Sequence, residues 1–279
     1  MNLFDRIKNT NLPIKQLKAI ETILEDLESN SFLSGAELSE KMNISFSSLT
    51  RLAKALNFSG FPELKKEIEK MYKDEFSPSH QAKSFLEDTR DNSILKIVFQ
   101  SEIKNLNGLI KYLNENELIE CAKKINKAKR VFVIGIGQME LIAKKFADSL
   151  SLLSKNTVCY TELGFSKLSE IHSISKQDVV ITFSINKELV EFQDFFIALK
   201  EKRVHSTLFT DKKTGRLRKH VDMSFHASST GNGMVNCITP FIVVTNILES
   251  ILFSMDKHVH LGKVKNIEKK WNSLPIFLE

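Results

Sequence analysis

Residues 45–54 read SFSSLTRLAK, and the side chains there that can do chemistry are hydroxyls followed by two cations. Ser45, Ser47, Ser48 and Thr50 can exchange hydrogen bonds with a phosphate or a base edge, and Arg51 can pair bidentately with guanine. Lys54, one turn further, suits a phosphate oxygen. Between these lie Leu49, Leu52, Ala53 and Leu56, which define a buried face at helical spacing. A polar-tipped amphipathic helix of this kind can enter the major groove of DNA, and it can equally be one arm of a plain helical hairpin whose hydroxyls face water.

A second set of groups lies far along the chain. Gly135, Ile136, Gly137 and Gln138 follow the apolar run VFVI (131–134). A glycine turn after a strand lets backbone amides and the next helix's N-terminus meet an anion. Position 140, where a dinucleotide fingerprint places its third glycine, is Glu140, so NAD binding is not expected. Thr182, Ser184, Asn186 and Lys187, within and after the run VVITF (179–183), add hydroxyls, an amide and a cation. Glu162 is the nearest acidic residue to such a crevice and reads as solvated. The histidines form no motif with a carboxylate, and His258-x-His260 is too short for a metal site. No catalytic residue, cofactor or metal is assigned.

Local signals give the elements that hold these groups. Ile14, Leu17, Ile20, Leu24 and Leu27 predict a helix over 14–28. Ser34 and Glu37 form a capping-box pattern opening a two-turn helix with Leu38 and Met42 inward. Asn43-Ile44 makes the turn, Ser45 caps a helix over 46–56, and Asn57 stops it. Phe58 and Phe61 anchor a further helix from Pro62 to about 76, with Gly60 permitting a sharp turn between them. Ser77-Pro78-Ser79-His80 reads as a linker, so the expected division is 1–76, a linker over 77–91, and 92–279. Helices are expected over 93–113 and 115–127. From Arg130 onward the runs at 131–134, 157–160, 179–183, 207–209 and 223–225 alternate with helical segments, and helices over 236–255 and 263–273 close the chain. That alternation predicts a parallel sheet covered by helices. The expected fold is an all-α helix-turn-helix domain followed by an α/β domain.

Composition narrows the setting. The 279-residue chain is 42% hydrophobic and carries a net charge of +6, yet residues 1–80 hold 11 basic and 12 acidic side chains. Bulk charge therefore does not mark the DNA-reading part. Locally, residues 41–62 contain no acid while holding Lys41, Arg51 and Lys54, a modest positive field. There is no apolar run of membrane-spanning length and no secretory h-region near Met1. Cys121, Cys159 and Cys237 are few and far apart, as reduced thiols of a cytoplasmic protein would be.

The run NISFSSLTRLAKALNFSGFPELKK (43–66) resembles the helix-turn-helix of RpiR/MurR-type bacterial transcriptional regulators, whose pattern is V-S-x-x-T-x-x-R-x-x-x-x-L-G-F-x-G-F-x-x-L-K. Ile44-Ser45, Arg51, Leu56, Phe58, Gly60-Phe61 and Leu64-Lys65 sit on it in register, with Ser48 replacing Thr and Asn57 replacing Gly. The resemblance extends over essentially the whole chain and implies a C-terminal sugar isomerase (SIS) domain. It implies a regulator of sugar or sugar-phosphate metabolism, binding a double-stranded operator as a homodimer or tetramer, with no membrane partner. SIS domains hold phosphosugars between a G-x-G-x-S turn and an S-x-S-G-x-T loop. Here Met139 replaces the first Ser, and Ile185 and Lys187 replace the Gly and Thr. Three outcomes stay open: a retained phosphosugar pocket, a changed effector, and a purely structural dimerisation domain. The rival class is a SIS isomerase or sugar-phosphate-binding module without DNA binding.

Overall fold

The computed structural model describes the chain except residues 1–2, 26, 76, 91, 154, 163–171, 187, 214, 232–234 and 274–279. The N-terminal unit contains α1 (Leu3–Lys8), α2 (Ile14–Glu25), α3 (Leu27–Phe32), α4 (Gly35–Lys41), α5 (Phe46–Ala55), α6 (Phe61–Glu75) and α7 (Pro78–Asp88). Its core is built from Ile20, Ile23, Leu38, Leu49, Leu52, Leu56, Leu64 and Ile68, all fully buried. The capping box at Ser34 and Glu37 is formed, with the Glu37 amide donating to Ser34 Oγ at 3.2 Å and the Ser34 amide to Glu37 Oε2 at 2.7 Å. Asn43 and Asn57 take the left-handed backbone, at φ 52° and 60°, and so make the turn and the stop expected of them.

Three expectations need correction. The helix read over 14–28 is helical over Ile14–Glu25 and again from Leu27, but its inner face is Ala19, Ile20, Ile23 and Leu27, whereas Ile14 is 75% exposed and Leu17 also faces out. The 77–91 stretch read as a linker is largely α7, because Ser77 Oγ accepts the His80 amide and Pro78 occupies the first turn. Gly60 has no positive φ, and a Cβ there would meet only Pro62 Cδ at 3.7 Å, so the turn does not need a glycine.

The C-terminal unit alternates as expected. Its elements are α8 (Ile94–Tyr112), α9 (Glu115–Lys127), β1 (Val131–Gly135), α10 (Met139–Leu152), β2 (Thr157–Tyr160), β3 (Val179–Ser184), α11 (Val190–Glu201), β4 (His205–Thr210), β5 (Met223–His226), α12 (Thr239–Met255) and α13 (Lys257–Ser273). The last helix begins six residues before the expected 263, and α12 begins at Thr239 rather than 236. Among the described residues five parallel strands are ordered β2-β1-β3-β4-β5. Alternate residues feed the two faces. Val133, Ile181, Phe183, Phe209 and Phe225 meet α9, α10 and α12, whereas Phe132, Ile134, Val180 and Leu208 meet Phe192, Phe196 and Leu199 of α11. Phe183, Phe209 and Phe225 stack in series across β3, β4 and β5, with centroids 5.3 and 5.0 Å apart. The strand order reverses beside β1, so the loops leaving the carboxyl ends of β1 and β3 flank the crevice where such sheets bind ligands.

Candidate functional site

In the N-terminal unit the expected hydroxyls form one connected surface. Ser45 has extended backbone, φ −74° and ψ 151°, and its Oγ accepts the Ser48 amide as the α5 N-cap. The same Oγ lies 2.8 Å from Ser47 Oγ and 2.9 Å from Ser48 Oγ, and Arg51 Nη2 donates to Ser48 Oγ at 3.3 Å. Thr50 Oγ1 donates to the Phe46 carbonyl at 3.2 Å and is half-buried. Ser47, Arg51 and Lys54 are exposed and follow one face of α5.

What fixes that face includes residues the sequence reading missed. Arg6 donates to the carbonyls of Leu56 and Asn57, at 3.0 and 2.6 Å, and stacks 4.1 Å above the Phe58 ring. A cation at the carboxyl end of α5 satisfies orphan carbonyls and opposes the helix dipole. At the other end Phe46 and Phe61 pack edge to face at 5.7 Å, and Gly35 lies against both rings. A Cβ on Gly35 would sit 2.3 Å from the Phe46 ring. Lys65, a residue of the matched pattern, donates to the Asn30 carbonyl at 3.2 Å and to the Ser31 carbonyl, and burial lowers its pKa. Its role is to tie α6 to the end of α3. Glu63 accepts the Ser59 amide at 2.6 Å, which holds its carboxyl below the usual value.

In the C-terminal unit the two expected loops leave neighbouring strands, with Ile134 opposite Thr182 and Gly135 opposite Phe183. Gly135 is needed for close approach, since its Cβ would lie 2.2 Å from the Met139 carbonyl oxygen. Gly137 takes φ 63° and is exposed, as is Gln138. Met139, which stands where the family pattern has Ser, has its side chain fully buried in the core against the sheet. Thr182 is also fully buried, and its Oγ1 has no partner among the described residues, so it lies within the floor of the crevice rather than on its wall. Ser184 is 6% exposed at the end of β3. Ile185 folds partly into the core, and the positive φ falls one residue later, on exposed Asn186 at 65°. Asn tolerates that conformation where a β-branched residue would not. Lys187 lies outside the described residues.

Asp211, just past β4, was not anticipated. Its carboxylate accepts the Asn186 amide at 3.0 and 3.2 Å and the Ser229 hydroxyl at 2.6 Å, with Lys212 Nζ at 3.9 Å. Burial pushes its pKa up. Glu188 makes the reciprocal tie, accepting the Arg216 and Leu217 amides at 2.8 and 3.0 Å, and Gly215 leaves room for it. The loop after β3 is therefore clasped twice to the segment after β4. The thiols are not poised nucleophiles: burial pushes Cys121 up to about 12 and Cys237 up to about 11. Glu162 is exposed, and His260 is buried with Nδ1 3.1 Å from the Phe253 carbonyl.

Residues 1–75 match the family model for the helix-turn-helix domain of the rpiR family, and residues 124–254 match the SIS domain. The chain belongs to the RpiR family. It is a DNA-binding transcriptional regulator that carries a SIS domain. The HTH-type regulator YfhH of Escherichia coli is 22% identical to this RpiR-family chain, over 90% of it and 91% of YfhH. YbbH of Bacillus subtilis is 23% identical over 71% of the chain and 69% of YbbH. The sugar isomerase domain of an RpiR transcription factor from Sphaerobacter thermophilus aligns with TM-score 0.60 at 22% identity, over 64% of this chain and 99% of that one. NanR of Vibrio vulnificus, solved with ManNAc-6P, aligns with TM-score 0.61 at 14% identity, over 99% and 100% of the two chains. At such identities the structural likeness is one of fold. No single described helix is long and apolar enough to cross a membrane.

Proposed function

We propose that this RpiR-family regulator reads its operator with the exposed face of α5 and senses a sugar phosphate at the carboxyl ends of β1 and β3. Arg51, Ser47, Ser48 and Thr50 contact base edges, and Ser45 and Lys54 contact phosphate. The observation that carries this reading is the hydroxyl chain from Ser45 through Ser48 to Arg51, which presents the guanidinium from an ordered, solvent-facing surface. The protein acts as a cytoplasmic homo-oligomer on a palindromic site, since a two-fold protein matches a two-fold operator.

The effector site uses the exposed turn at Gly135, Gly137 and Gln138, together with Ser184, Asn186 and Lys187, over a floor that includes Thr182. That NanR was solved with a phosphorylated amino sugar supports this ligand class. With Met139 and Ile185 committed to the core, the site offers fewer phosphate donors than its family pattern, so binding is weak. It senses rather than isomerises, because Asp211 is occupied by the Asn186 amide and the Ser229 hydroxyl instead of facing a substrate proton.

A mobility-shift titration with the gene's own upstream DNA tests the first half. Arg51→Ala should weaken binding by about 1–3 kcal/mol, the worth of one bidentate base contact. Unchanged affinity would remove α5 from the interface. A thermal-shift panel of hexose and amino-sugar phosphates tests the second half. A rise in Tm with one of them supports sensing, and no rise with any reduces the SIS domain to a structural role.

A further inference from the structure

At the amino-terminal edge of the sheet, opposite the effector crevice, lies a groove of about 830 Å³ lined by Lys124, Lys127, Lys129, Lys176, Lys200 and Arg203. These cations come from separate segments: the last turn of α9, the approach to β1, the approach to β3, and the end of α11 with the turn after it. Two acids also line it, and both are engaged. Asp178 accepts from Arg130 at 3.1 and 2.8 Å, and Asp222 accepts the Ser206 amide at 2.8 Å. None of the six cations forms an ion pair with a carboxylate among the described residues. Lysines in the last turns of α9 and α11 oppose the helix dipoles, but that accounts for Lys124, Lys127 and Lys200 only.

Arg203 supplies an independent observation. It ends α11 with φ 56°, its amide on the Lys200 carbonyl and the Val204 amide on the Leu199 carbonyl. That is a helix-end position suited to Gly or Asn. At the other described non-glycine positions with positive φ this chain uses Asn: Asn43, Asn57 and Asn186. A long, charged side chain stands here against local backbone preference.

We propose that this groove binds a small ligand bearing several linked phosphates, a nucleoside or inorganic polyphosphate, at a site separate from the effector crevice. A concavity lined by one sign of charge focuses potential, and its size is that of a small-molecule pocket. Several cations in a row match a chain of phosphates better than a single one.

The test is calorimetry on the full-length protein at about 0.1 M salt, where charges beyond roughly 10 Å are screened. Tripolyphosphate and ATP should bind in the micromolar range, with inorganic monophosphate at least about tenfold weaker. Binding of tripolyphosphate but not ATP would assign the inorganic ligand, and binding of both the shared phosphate chain. The variant Lys200→Ala/Arg203→Gly should lose about tenfold for tripolyphosphate, while Arg203→Gly alone keeps or raises Tm because glycine fits the left-handed turn. Equal affinity for mono- and tripolyphosphate, or undiminished binding by the double variant, overturns the assignment. So does loss of tripolyphosphate binding in Arg51→Ala, which would place the anion on α5. Duplex DNA of unrelated sequence losing affinity in the double variant, with no tripolyphosphate binding by the parent, would make the groove a nucleic-acid contact and also overturn it.

Discussion

Arg51 stands on a surface that is already ordered, because Ser48 Oγ takes one of its N–H groups and itself lies against the Ser45 N-cap. The contribution of a guanidinium over an ammonium at such a place is its planar fork. Arg51→Lys should therefore retain affinity for unrelated DNA and lose discrimination among operator variants at one base pair, measured by competition titrations. Equal loss on all sequences would show that Arg51 meets only phosphate. Gly35 matters for a different reason. Any Cβ there runs into the Phe46 ring at 2.3 Å and Phe61 at 2.9 Å, so Gly35→Ala should cost about 1–3 kcal/mol by overpacking. Urea unfolding measures it, and a cost below 0.5 kcal/mol, the usual effect of a surface change, would mean that the α4–α5 spacing does not depend on this residue.

At the scale of elements, what a stretch of sequence discloses depends on how far its side chains reach. The Ser34–Glu37 box, the Ser45 cap and the Asn43 and Asn57 turns each close within a few residues, and local spacing located all of them. Arg6 on Leu56 and Asn57, and Asp211 on Asn186, close over 25 residues or more, and no local pattern betrays them. Strand β4 was read as 207–209 and runs from His205 to Thr210, because Ser206 and Thr210 are polar yet buried by the neighbouring strands. Met139 and Ile185 were read only as replacements within a phosphate-binding pattern, whereas packing decided where they point. The residues leading into β1 and β3 carry a further long-range tie, between Arg130 and buried Asp178. Burial pushes the Asp178 pKa up, but the Arg130 hydrogen bonds and the Ser175 amide outweigh it, leaving the carboxyl below its ordinary 3.8. A depressed carboxylate stabilises the fold above that ordinary value, and the contribution is lost as pH falls through the folded value. Asp178→Asn should cost about 2 kcal/mol at neutral pH, the worth of hydrogen bonds to a charged group, with the gap closing below its ordinary 3.8. Urea titrations at neutral and acid pH give the comparison, and a gap independent of pH would mean that charge is not what Asp178 contributes.

At the scale of the whole molecule, the described residues form separate hydrophobic cores, one around Leu49, Leu52 and Leu64 and others on the two faces of the sheet. Each unit therefore has the means to unfold as its own cooperative step, and differential scanning calorimetry should resolve two transitions. A ligand stabilises the unit that binds it, by about 2.7 kcal/mol at a hundredfold excess over Kd. Operator DNA should raise the transition of the helical unit, and a sugar phosphate that of the SIS unit. The informative quantity is the crossed effect. If the effector regulates transcription, its affinity must differ between the arrangements that do and do not bind the operator, and linkage makes the coupling reciprocal. Operator DNA must then alter sugar-phosphate affinity by the same factor by which the sugar phosphate alters operator affinity, a factor of roughly 5–150 in typical coupled sites. Calorimetric titration of the sugar phosphate with and without saturating operator measures one side, and a mobility-shift titration with and without the sugar phosphate measures the other. Binding at both sites with a coupling factor of one would separate DNA recognition from metabolite binding, and effector control through the SIS domain would be wrong even with both binding sites correct.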